Sequence, residues 1–173
     1  MRYFIAVIFV GVLLSGCAGY DLTPETTVQS TTLSRNAEAC ISIPEDGQYG
    51  DHTYKGSGQA LAESVNRAFA PYLQTTLLKP GLEGQAATLA QSKHEGCEYL
   101  LLPQILHWED RATEWSGKPD RIAVKLSVLS TDSGEVLDAA IFHAKSSFWT
   151  LGGDHPQDLV YQPLKEYAAK LFP

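Results

Sequence analysis

The first sixteen residues decide which part of this 173-residue chain can fold and in which compartment it does so. One basic residue, Arg2, precedes an apolar run over residues 3–14 that only Gly11 interrupts. The run is about half the length needed to span a bilayer, which is typical of the hydrophobic region of a secretory signal peptide. Residues 1–16 are therefore predicted to be removed on export, so the fold must form from the rest of the chain.

The predicted signal peptide ends at a cysteine. Residues 14–17 are Leu-Ser-Gly-Cys, which resembles the bacterial lipobox, Leu-[Ala/Ser]-[Gly/Ala]-Cys. The resemblance implies that Cys17 is lipidated on sulfur, that the peptide is cut before it, and that the new amino terminus is acylated. Several acyl chains exceed what stable membrane anchoring needs. The residue after the anchor is Ala18 rather than Asp, which in Gram-negative lipoproteins implies an outer-membrane anchor, here with the domain facing the periplasm.

The net charge limits the partners that the chain can bind. The chain carries −7 at pH 7, and the loss of Arg2 with residues 1–16 lowers the mature charge to −8. Nucleic acids and anionic lipid surfaces both favour Lys and Arg, so the acidic balance argues against either as the main partner. The five histidines form no HxxxH or HExxH pair, so the sequence predicts no metal site and no cofactor.

The mature chain is predicted to divide into two parts. Residues 17–38 hold the anchor and a segment rich in Ser and Thr with few bulky apolar residues, which is typical of a flexible tether with a reach of roughly 25 Å. Residues 39–173 are predicted to form a single periplasmic domain, since this length suits one domain.

Hydrophobic periodicity predicts alternating strands and helices in that domain. The predicted strands are residues 40–44, 74–81, 97–106, 121–129 and 136–148. The predicted helices are residues 57–72, residues 85–94 and the stretch after residue 156. This order favours a two-layer α/β domain, on the border to α+β, with a mixed sheet of about five strands and three helices.

Several short motifs resemble one family. They are Gly-Ser-Gly at 56–58, Cys-Glu-Tyr-Leu-Leu-Leu-Pro at 97–103, Trp-Glu-Asp-Arg at 108–111, Glu-Trp-Ser-Gly-Lys-Pro-Asp at 114–120 and Gly-Gly-Asp-His-Pro at 152–156. Together they resemble a family of proteobacterial lipoproteins catalogued as domain of unknown function 4823. The element order also resembles the periplasmic domains of CsgG and LpoB and the amino-terminal domain of TolB. Those relatives bind other proteins or assemble, and the resemblance implies a role of that kind.

A cluster of carboxylates and tryptophans near residue 110 allows two interpretations. Glu109, Asp110 and Glu114 lie near Trp108 and Trp115, a combination that glycosidases use as acid, nucleophile and aromatic platforms. Alternation along a strand puts Glu109 and Asp110 on opposite faces unless a bulge intervenes. The other interpretation is a partner-binding patch made by Trp108, Arg111 and Trp115, because large aromatic and Arg residues dominate interface hot spots.

The glycines at 47, 50, 56 and 58 lie between a predicted strand and a predicted helix. Their spacing matches neither GxGxxG nor GxxxxGK[ST], and the nearby Asp46 would repel a phosphate. The pattern therefore favours a turn followed by a helix cap over a phosphate-binding loop.

Cys40 and Cys97 each begin a predicted buried strand, and the periplasm is oxidising. Two interpretations stay open, a disulfide and two buried thiols. If the first and third strands are parallel neighbours, both cysteines fall at one end of the sheet, where a bond is geometrically possible.

These features predict a non-enzymatic lipoprotein of the outer membrane that works as a binding, adaptor or assembly module. It would reach the membrane through its lipid and would bind a protein or peptidoglycan partner in the envelope. The alternatives are an envelope glycan-acting enzyme that uses Glu109 or Asp110 and a self-assembling structural component.

Overall fold

The structure, a computed structural model, describes the backbone of residues 19–24 and all of residues 32–110, 120–146 and 156–173. The strands are β1 Gly19–Pro24, β2 Glu38–Ile43, β3 Gln48–Tyr49, β4 His52–Thr53, β5 Thr75–Pro80, β6 Tyr99–Glu109, β7 Arg121–Ser130 and β8 Val136–Lys145. The helices are α1 Ser57–Phe69, α2 Gln85–His94 and α3 Pro156–Leu171, and a 3₁₀ turn, Ala70–Tyr72, follows α1.

The main sheet has the strand order β1-β8-β7-β6-β2-β5, and β3 and β4 form a separate hairpin. β2 runs parallel to both of its neighbours, β5 and β6, whereas β6, β7, β8 and β1 alternate in direction. The sheet is therefore mixed, as predicted, and the strand near residue 40 is the parallel neighbour of the strand near residue 100, which is the condition under which a Cys40–Cys97 bond is geometrically possible. The predicted α/β class with three helices is confirmed as well; the sheet contains a sixth strand because β1 joins its edge.

The two faces of the sheet are covered to different extents. α1 and α3 pack together on one face, against a core whose largest fully buried members include Ile41, Phe69, Leu126, Phe142 and Leu164. A smaller cluster of Cys40, Cys97, Leu100 and Leu129 lies on the opposite face, with Leu89 of α2 packed against it. Since neighbouring strand residues point to opposite faces, Cys40 and Leu100 face away from Ile41 and Leu101 of the main core. α2 packs on this second face near the start of β6.

Parts of the expected tether, residues 17–38, belong to the fold instead. β1 pairs antiparallel with β8 over six residues, from Gly19 opposite Lys145 to Pro24 opposite Ala140. Leu33 and Ala37 are buried in the core, and the Leu33 N–H donates to the Leu171 carbonyl at 2.8 Å. The physical reason is the exposed edge of β8, whose unpaired backbone groups gain partners from β1. The folded part thus begins before Ala39.

Candidate functional site

Trp108 is a core residue rather than an exposed anchor. The register of β6 against β7 shifts between Ile105 and His107, so Leu106 is an extra, bulged residue. The bulge places Ile105 and Trp108 on the same, helix-covered face although they are three residues apart. Trp108 is only 3% exposed, and a Cβ added at Gly47 would lie 2.6 Å from its Cβ. The expected partner-binding role of Trp108 is corrected accordingly, because its side chain is already enclosed by the protein.

The other expected partner-binding residues, Arg111 and Trp115, lie outside the described residues, as do Glu114 and the predicted lipidation site Cys17. Arg111 and Trp115 belong in sequence to the connection between Asp110 and Asp120, which leads from the end of β6 to the start of β7.

The two carboxylates of the glycosidase interpretation point in different directions. Glu109 is buried, and its Oε1 lies 3.1 Å from Nε2 of His107 on the same face of β6. Asp110 lines a groove together with Trp108, on the other face. The bulge precedes both residues, so it does not bring them together, and the pair cannot flank one substrate as acid and nucleophile.

The groove that Trp108 and Asp110 line has a volume of about 560 Å³ and is open to solvent. It lies where β6 ends and where α1 and α3 begin, and its other lining residues include His52, Tyr54, Lys55, Ser57 and Gln157. The size would suit a small ligand. The lining mixes one cation, one carboxylate, the half-buried ring of Tyr54 and the edge of the buried Trp108, without a dominant charge.

The glycine-rich turn before α1 is a helix cap, as the sequence predicts. The Asp46 carboxylate accepts hydrogen bonds from the N–H groups of Gly56 at 3.0 Å and Gly58 at 2.9 Å. This side chain therefore satisfies the donors at the start of α1 that a phosphate would need. Gly58 is required by packing, because a Cβ there would lie 2.1 Å from the carbonyl oxygen of Pro44.

Within the described ranges, no three His, Cys, Asp or Glu side chains come close enough together to hold a metal ion. In the same part of the chain, no helix has the length and apolarity needed to cross a membrane.

Cys40 and Cys97 are joined as a disulfide in the structure, with their Cα atoms 5.7 Å apart. Cys40 lies in β2 opposite Leu100, and Cys97 lies two residues before β6 begins. Both are almost fully buried. The bond links the segment after α2 to β2, the strand between β5 and β6.

Two large apolar side chains are exposed near the bulge. Leu106 is 52% and Tyr49 is 49% exposed. The Tyr49 ring packs edge-on against the imidazole of His107, with ring centroids 5.3 Å apart. Leu106 directly precedes His107 in the chain, so the exposed side chains of Tyr49 and Leu106 both lie beside β6 near the bulge. We call these two exposed side chains the apolar surface beside β6. Nothing in the residue pattern revealed this surface, since it depends on where the β3–β4 hairpin packs.

The fold and these sites define an α/β domain with a groove at one end of its sheet and an apolar surface beside β6. The chain belongs to the family described as Domain of unknown function (DUF4823), whose family model matches residues 31–171. No curated protein matches the chain in sequence.

Solved structures share the fold. The PelC dodecamer from Paraburkholderia phytofirmans is similar with a TM-score of 0.65 and 12% identity, over 90% of this chain and 97% of that chain. A variant of the same PelC is similar with a TM-score of 0.59 and 12% identity, over 90% and 95% of the two chains. A weaker likeness, with a TM-score of 0.42 and 10% identity, is to the lipoprotein GNA1162 from Neisseria meningitidis, over 77% and 98%. At such identities the PelC likeness establishes a common fold and nothing finer.

Proposed function

We propose that this protein is an outer-membrane lipoprotein, anchored through Cys17, whose α/β domain faces the periplasm and acts by assembly rather than by catalysis. The lipobox at residues 14–17 supports the anchor. The assembled domain would then present a surface to a protein or peptidoglycan partner of the envelope.

The single observation that carries the assembly role is the fold shared with PelC, which forms a dodecamer, over nearly the full length of both chains. The surface best suited to contacts between copies is the one flanked by Leu106 and Tyr49. Exposed apolar side chains of this size are costly in a monomer and favourable in an interface.

The glycan-acting alternative has less support. Its two carboxylates lie on opposite faces of β6, and Glu109 is buried against His107. A retaining or inverting glycosidase needs two carboxyl groups that face one bond.

The anchor is tested by fractionation. The variant Cys17→Ser should lose its lipid and leave the membrane fraction, because no helix of the described residues can replace the anchor. Mass spectrometry of the amino-terminal peptide gives the modification directly. A Cys17→Ser protein that stays membrane-bound after a salt wash would contradict the proposal.

Assembly is tested by measuring the mass of the untethered mature domain, residues 18–173, by light scattering over a range of concentrations. We expect a multiple of the single-chain mass. The variant Leu106→Asp should lower that multiple, since it places a charge in the apolar surface. Val136→Asp is the matched control, because Val136 is a comparably exposed apolar residue, 41%, in the first position of β8. A wild-type domain that is a single chain at every concentration would refute self-assembly.

A further inference from the structure

We infer that the end of the sheet formed by Gly19, Arg121 and Lys145 lies against the phospholipid headgroups, with Arg121 and Lys145 facing the lipid phosphates. The inference deepens the proposed function and rests on lipidation of Cys17. It concerns how the anchored domain is oriented, which the anchor alone leaves open.

The lipid and the first strand of the fold are separated by a very short stretch of chain. β1 begins at Gly19, two residues after Cys17. Two residues of extended chain span at most about 7 Å. A lipid on Cys17 therefore holds the start of β1 at the bilayer surface.

β1 is fixed to the sheet by its pairing with β8. It pairs with β8 over six residues, with Gly19 opposite Lys145. Lys145 lies opposite Arg121, and Arg121 lies opposite Glu109. The ends of four neighbouring strands thus come to the membrane together. A flexible tether over residues 17–38 would instead let the domain turn freely at up to roughly 25 Å from the anchor.

The charge at this end of the sheet also favours contact with the lipid headgroups. The mature chain carries a net charge of −8 by sequence, so contact with an anionic bilayer is most favourable where the local charge is positive. Arg121 and Lys145 are exposed, whereas Glu109 is buried against His107. Asp110 and Asp120, the carboxylates that follow β6 and precede β7, are both only half-exposed. Among these five charged residues at the described strand ends, the two exposed ones are therefore the cations, which suits lipid phosphates.

The proposed orientation also determines how far the groove and the turn between β7 and β8 lie from the membrane. The groove lined by Trp108 and Asp110 lies at the same end of the sheet, because both residues fall at the end of β6. The turn between β7 and β8 points away from the membrane. Ser130 at that turn lies seven positions along β7 from Ala123, the partner of His143, which corresponds to about 23 Å.

The experiment uses the lipidated full chain in vesicles of phosphatidylethanolamine and phosphatidylglycerol, three to one, with an energy acceptor on the headgroups. A donor dye is attached at His143→Cys in one sample and at Ser133→Cys in another. We expect severalfold stronger transfer from position 143 than from position 133. Equal transfer from both positions would overturn the inference.

Two pairs of variants separate the effect of the short link between the lipid and β1 from the effect of the charges of Arg121 and Lys145. Twelve Gly and Ser residues inserted between Ala18 and Gly19 should abolish the difference, whereas the same insertion between Thr27 and Val28, beyond β1, should leave it. Reversing charge with Arg121→Glu and Lys145→Glu together should reduce transfer from position 143. The matched control is the double variant Lys165→Glu and Lys170→Glu, at two exposed cations of α3. It changes the net charge by the same amount and should have little effect on the transfer from position 143.

The outcomes distinguish this inference from the proposed function. If Cys17 carries no lipid and the chain does not bind the vesicles, the proposed anchor fails and the inference fails with it. If the lipid is present but both positions give the same transfer before and after the insertions, the anchor stands and the orientation is refuted.

Discussion

The bond between Cys40 and Cys97 makes a large and calculable contribution to stability. The two residues are 57 positions apart in the chain. On the chain-entropy account, closing a loop of that length restricts the unfolded state enough to stabilise the fold by about 4 kcal/mol. A typical domain has a total free energy of unfolding of only about 5–15 kcal/mol, so the loss should be obvious.

The assay is urea unfolding of the mature domain, residues 18–173, purified from the periplasm without reductant. Reduction of the wild-type protein should lower the free energy of unfolding by about 4 kcal/mol. The double variant Cys40→Ala, Cys97→Ala should show a similar loss, increased by the two sulfur atoms removed from a buried cluster. Reductant should then have no effect on the double variant, which controls for any action of the reductant elsewhere.

Two results would refute this reasoning. One is two free thiols at Cys40 and Cys97 in the freshly purified, denatured protein. The other is an intact bond whose reduction leaves the unfolding midpoint unchanged, which would mean that the unfolded chain is already restricted between these positions.

Three further perturbations test how the domain is built. Gly58→Ala should destabilise by about 1–3 kcal/mol in urea unfolding, because its Cβ would collide with the backbone of Pro44; an unchanged midpoint would contradict this contact. Asp46→Ala should cost about 0.5–2 kcal/mol by removing the cap of α1. Asp46→Asn should restore only part of the loss, because Gly56 and Gly58 use both carboxylate oxygens and the amide has a single acceptor oxygen. Burial, a 2.6 Å hydrogen bond to Asp138 and the charge of that carboxylate raise the pKa of Tyr167 far above its usual value. The unfolded chain therefore releases this proton first as pH rises past about 10, so stability should fall there in the wild type and fall less steeply in Tyr167→Phe.

Much of the fold could be predicted because local signals agree with the tertiary structure. The stripe of Leu61, Val65, Ala68 and Phe69 is the buried face of α1. α2 spans residues 85–94 as predicted, and Gly96 follows it with a φ of +84°, a conformation that glycine adopts without strain. Such signals lie within one element and need no knowledge of its neighbours.

The structure differs from the sequence-based predictions where pairing between distant parts of the chain determines the local conformation. β1 lies in a Thr-rich segment without a strand pattern, and it forms because the edge of β8 needs a partner. The bulge at Leu106 breaks the alternation of β6, so Trp108 points into the core instead of outward. Alternation alone could not reveal either feature. The same limit hid the apolar surface beside Tyr49, which exists only because the β3–β4 hairpin packs next to β6.

The most direct test of the central claim is native mass spectrometry of the full protein extracted from outer membranes in mild detergent. One spectrum gives both the modification of Cys17 and the number of copies in the complex. We expect a lipidated mature chain in an assembly of several copies. A single copy would contradict assembly, and an unmodified Cys17 would contradict the anchor on which the proposed orientation depends.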